Sequence, residues 1–161
     1  MTDFEPAYAD EDCIIFLRNP RRLDLTDDHN LQTWHGINLY GLRSAILRGL
    51  TNSVDEGGRH AHRGVGVYSS PCIEVASYYA TPHNAFEDGR YWQTLLRLSM
   101  PRAKTEVARG TYGPEAIADE SVVNIIGIMF MVTSVPTTAF AIDKRNRCPG
   151  CYPNFMRSLE L

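Results

Sequence analysis

The chain has 161 residues, 43% hydrophobic and 22% charged, a composition that suits one globular domain with a sizeable core and leaves no room for a second catalytic domain. With 16 basic and 19 acidic residues the net charge is −3, so no global basic field draws the chain to phosphate backbones. The longest apolar run, Ile125 to Val135, is too short for a bilayer and is interrupted by Gly127 and Thr133. Met1-Thr2-Asp3-Phe4-Glu5 lacks the basic and apolar regions of a signal peptide, so an intracellular location, cytoplasmic or nuclear, with no membrane partner is expected.

Residues 1–12 hold Asp3, Glu5, Asp10, Glu11 and Asp12 with no basic residue, and are expected to form a flexible, solvated lead-in to a single domain over 13–161. Ile14 to Leu17 reads as a buried strand closed by Asn19-Pro20, and Thr33-Trp34-His35 as the end of another. Asn38 can cap a helix reaching about Arg48, because Leu39, Leu42, Ile46 and Leu50 recur at three- or four-residue spacing. Gly49 ends it where a positive φ is wanted.

The polar segment 51–63 reads as a loop, and Val65 to Tyr68 as a strand. Ser70-Pro71 then offers an N-cap and first helical residue, with Ile73, Ala76, Tyr79 and Ala80 on one helix face. Tyr91 to Met100 alternates as a strand that Pro101 closes. Residues 102–120 carry Gly110, Gly113 and Pro114 and read as a second loop, followed by a central strand over Ser121–Val132 and an edge strand over Thr138–Ile142. Strands outnumber helices without alternating with them, which favours an α+β domain.

Four cysteines in a chain of this length argue against a disulfide framework. Cys148-Pro149-Gly150-Cys151 reads first as a turn with two incidental thiols; with His60 and His62 it is also a minor zinc-site alternative.

His35-Gly36, a helix closing on Gly49-Leu50, and the strand Gly64-Val65-Gly66-Val67-Tyr68 feeding a second helix follow one another in order. Together they resemble the NAD-binding half of the poly(ADP-ribose) polymerase-like, diphtheria-toxin-type ADP-ribosyltransferases, over residues 34–80 and thinly beyond. The resemblance implies an ADP-ribosyltransferase fold, two packed and mostly antiparallel β-sheets with flanking helices around an NAD cleft. It implies an enzyme that cleaves the nicotinamide–ribose bond and passes ADP-ribose, as single units, to a protein or nucleic-acid acceptor. NAD is then a co-substrate, and no metal is required.

Carried over by position, the family's His-Tyr-Glu triad falls on His35, Tyr68 and Glu120. His35 would bond the adenosine ribose, Gly36 would hold the nicotinamide amide through its backbone, and Tyr68 and Tyr79 would sandwich the nicotinamide ring. Glu120 is chosen for its place before Ser121-Val122-Val123, and Glu115 and Glu106 compete for the same role. Arg63, with Arg59, His60 and His62, offers charge to the pyrophosphate. The chain departs from the pattern at Ile37, where the family has Ser or Thr, and at Ala76, where it has a nicotinamide-binding Ser that Ser77 misses by one place. Those departures motivate a second reading, an inactive binding or interaction module. An RNA 2′-phosphotransferase is a third.

Overall fold

A computed structural model describes residues 3–19, 28–52, 64–110 and 112–133. Within them lie β1 (Phe4–Ala9), β2 (Cys13–Arg18), β3 (Asn30–Ile37), α1 (Leu39–Arg48), β4 (Val67–Ser69), α2 (Ile73–Ser77), β5 (Tyr91–Pro101), β6 (Thr105–Arg109), β7 (Pro114–Ala118) and β8 (Asn124–Thr133). The strands form a five-stranded sheet in the order β1-β2-β8-β5-β3 and a three-stranded sheet in the order β4-β7-β6. Every pairing between these strands is antiparallel, and the fold is mixed α+β.

β5 sits inside the larger sheet because it is buried along most of its length, with Leu96, Leu98 and Met100 on one face and Leu95 on the other. Leu96, Leu98 and Met100 turn to one side, where they meet Ile125 and Ile128 of β8, Val67 of β4, Ala116 and Ala118 of β7, and Ala45 of α1. Leu95 turns to the other side and joins Met129 beneath Ala76 and Ala80. The smaller sheet and α2 therefore pack on opposite faces of the larger one. Leu95, Leu96, Leu98 and Met100 are wholly buried, and burying a side chain of this size contributes about 1.5–3 kcal/mol.

The two sheets are tied together at Ser70. Its backbone N–H and C=O both pair with Trp34 of β3, at 2.8 and 2.7 Å. Its hydroxyl donates to the Pro114 carbonyl at 2.6 Å and accepts from the Cys72 amide at 3.0 Å. Ser70 thus joins both sheets and the entry to α2. The expected Ser70 cap is displaced in detail, since Cys72 occupies the cap position and Ser70 serves its amide from two residues upstream. At α1 the expected ends hold: Asn38 accepts from the Tyr40 amide at 3.0 Å, and Gly49 has φ 82° while its N–H bonds the Ala45 carbonyl.

Several expectations fail. Residues 4–9 are not a flexible lead-in but β1, paired along β2 from Phe4↔Arg18 to Ala9↔Ile14 with a bulge near Pro6. Segment 102–120 contains a hairpin, β6 with β7. β8 begins at Asn124, because Glu120–Val122 forms a 3₁₀ turn before it. Cys13 is a free thiol, whereas Cys72 is disulfide-bonded. Segment 138–142, Cys148 and Cys151 lie outside the described residues. Among the described residues no helix is long and apolar enough to cross a membrane.

Candidate functional site

β3 is an edge strand of the larger sheet, and its outer edge is where a ligand can meet backbone. In an antiparallel strand a residue's N–H and C=O point the same way, and the direction alternates along the chain. Trp34 turns both groups outward to Ser70, so Gly36, two residues on, turns both of its own to that same edge. Beyond Ser70 the chain bends away into α2. The Gly36 edge therefore opens onto a cavity of about 390 Å³, within the range of roughly 300–1,000 Å³ usual for small-ligand sites. A strand edge that offers one donor and one acceptor side by side complements a primary carboxamide.

Gly36 is also needed by the packing. A Cβ there would collide with the backbone of α2 and the turn after it, at the Ala76 carbonyl, the Tyr79 carbonyl carbon and the Ala80 amide. Gln93 reinforces this contact from β5, donating through Nε2 to the Ser77 and Ala80 carbonyls at 2.8 and 3.0 Å. α2 is thereby fixed over Gly36, with Ala76 and Tyr79 on the cavity wall.

His35 faces the smaller sheet. Its Nδ1 lies 2.6 Å from the Tyr68 carbonyl. A carbonyl can only accept, so Nδ1 carries the hydrogen and Nε2 is left as an acceptor in the neutral ring. Burial lowers the pKa of His35 below its ordinary value, and the Tyr68 bond offsets this only in part. Tyr68 itself lines the cavity, and its hydroxyl donates to the Gly64 carbonyl at 2.7 Å.

Tyr79 packs edge-on against Tyr112, with ring centroids 5.9 Å apart. Its hydroxyl is pushed up, first by burial and then by the negative charge of Glu115. Glu115 lies on β7, is 6% exposed and lines the same cavity as His35, Gly36, Tyr68 and Tyr79. The register Tyr68↔Ile117 and Ser69↔Ala116 between β4 and β7 brings this carboxylate beside the end of β4.

Glu120 is not gathered with these residues and does not line the cavity. It is exposed in the 3₁₀ turn after β7, where its carboxylate accepts from the Asn52 amide at 2.6 Å and its own N–H donates to the Asn52 side chain at 2.8 Å. Asn52 also donates to Asp119 at 3.0 Å. Bonds from Ser121 and Asn52 hold the Asp119 pKa down to about 2. Asp119 and Glu120 thus clasp the chain just after α1. Of the acidic residues weighed for that place, Glu115 lines the cavity and Glu120 and Glu106 do not.

Ser77 is likewise turned away, its hydroxyl donating to the Glu74 carbonyl at 2.7 Å. Glu106 lies on β6 and is exposed. Arg63 and its neighbours Arg59, His60 and His62 lie outside the described residues. Among the described residues no group of three or more His, Cys, Asp or Glu is placed to hold a metal ion. The sequence marks Ser70 only as a cap; its bonds to Trp34 and Pro114 come from partners distant in the chain.

No protein-family model matches the chain, and no match is found among curated proteins.

Proposed function

We propose that the chain is a diphtheria-toxin-type ADP-ribosyltransferase domain that cleaves the nicotinamide–ribose bond of NAD and transfers single ADP-ribose units to a protein or nucleic-acid acceptor. One observation carries the reading: a buried carboxylate, Glu115, shares a cavity with His35, Gly36, Tyr68 and Tyr79. Those four were marked by the ordered resemblance, and the carboxylate is supplied by a strand that the resemblance did not reach. The two antiparallel sheets agree with the α+β class that this reading requires.

In this reading the Gly36 N–H and C=O hold the carboxamide of nicotinamide, and Tyr68 and Tyr79 flank its ring. His35 accepts a ribose hydroxyl at Nε2. The C1′–N bond breaks with its electron pair leaving on nicotinamide, positive charge develops on the ribose, and the acceptor's lone pair forms the new bond to C1′ as its proton is lost. Glu115 orients the ribose hydroxyl and stabilises that charge, an effect strengthened by its low-dielectric setting. Arg63 remains the candidate for the pyrophosphate.

A second reading, an NAD- or ADP-ribose-binding module without catalysis, is favoured by Ala76. It lies on the cavity wall where the family has a serine, while Ser77 bonds its own helix. Nicotinamide release from NAD separates the two. Release that Glu115→Gln abolishes supports the transferase, and saturable binding without release supports the module.

A further inference from the structure

We infer that Gly110 is a positioning residue that keeps a space open for the Glu115 carboxylate in the cavity. The inference rests on the transferase reading for its functional consequence, but its structural content is independent of it. Gly110 follows β6 directly, and its N–H donates to the Gly113 carbonyl at 2.7 Å across the hairpin end. Glu115 stands opposite Ala108, so Gly110 is its diagonal cross-strand neighbour, within reach of a long side chain. The carboxylate lies back over Gly110. A Cβ at 110 would overlap the Glu115 Cγ, Cδ and Oε1.

Two further facts make the glycine a matter of space. Gly110 is absent from the positive-φ glycines, among which are Gly49, Gly64, Gly89 and Gly113, so any residue can adopt its backbone conformation. The atoms that a methyl group would meet belong to one flexible side chain, so the hairpin can keep its pairing while the carboxylate leaves. Gly113 differs: it has φ 156°, and a Cβ there would press on Val75 of α2. The hairpin end is thus seated on α2 through Gly113 and cleared for Glu115 at Gly110.

Gly110→Ala tests this in the full chain. Turnover for nicotinamide release should fall about 100-fold, the scale of loss when a reacting group is misplaced by an ångström, while the Kd for NAD stays within about threefold. The ¹³C carboxyl resonance of Glu115 should move between wild type and variant, and the far-ultraviolet circular dichroism should not. Unchanged turnover in Gly110→Ala, with wild type active, would overturn the inference and leave the transferase reading standing. If wild type releases no nicotinamide, that reading fails, and the Glu115 resonance still decides: an unmoved signal overturns the positioning role.

Discussion

His35 gives the site a pH dependence that follows from its surroundings. Its folded pKa lies below the ordinary 6.5, so between those two values the unfolded chain binds more protons than the folded one. The stability gained from the neutral ring is therefore full above about pH 6.5 and is lost as pH falls through the folded pKa. Thermal midpoints measured from about pH 7.5 to about pH 5 should fall more steeply for wild type than for His35→Gln. Parallel curves would show that the ring does not titrate as its burial requires. At the same scale, His35, Gly36, Tyr68 and Tyr79 were legible because each sits in an ordered local motif. Glu115 was legible only as a competitor. Its strand is buried along all five residues and shows no polar alternation, so Gly113 before it and Pro114 at its start read as loop punctuation.

At the scale of elements, two contacts decide how the cavity is built. α2 lies on Gly36 with backbone against backbone, so Gly36→Ala cannot be absorbed by a rotamer change. Overpacking of this kind costs about 1–3 kcal/mol or more, and urea denaturation of Gly36→Ala should register at least that loss. Stability equal to wild type would mean that α2 is free to lift. The second contact is the clasp of Asn52 with Asp119 and Glu120, which joins the end of α1 to the turn before β8. Ser121, together with the Asn52 side chain, holds the Asp119 carboxyl down by hydrogen bonding. In Asn52→Ala the Asp119 carboxyl, followed by NMR titration, should move partway from about 2 towards its ordinary 3.8. No movement would show that the clasp does not form in solution. The helix ends at Asn38 and Gly49 were readable from local chemistry, whereas the β6–β7 hairpin was not. Its pairing is set by the partners of β7, with Val67 and Ala116 sharing one core, and such partners lie far away in sequence.

For the whole molecule, the mixed α+β class was readable from the excess of strands over helices. What periodicity could not show is that two sheets meet along one short junction, Trp34 with Ser70, and that the cavity opens beside it. β1 escaped notice for a related reason: five of its six residues are exposed, so it buries too little apolar surface to announce itself, and its place comes from pairing with β2. The same geometry separates the two glutamates. Glu115 lines the cavity, and Glu120 stands outside it in the clasp. Nicotinamide release from NAD by wild type, Glu115→Gln and Glu120→Gln is the most direct test. The account predicts release by wild type, a loss of about 100-fold or more in Glu115→Gln, and activity within a few-fold of wild type in Glu120→Gln. Release that survives in Glu115→Gln and collapses in Glu120→Gln would contradict it.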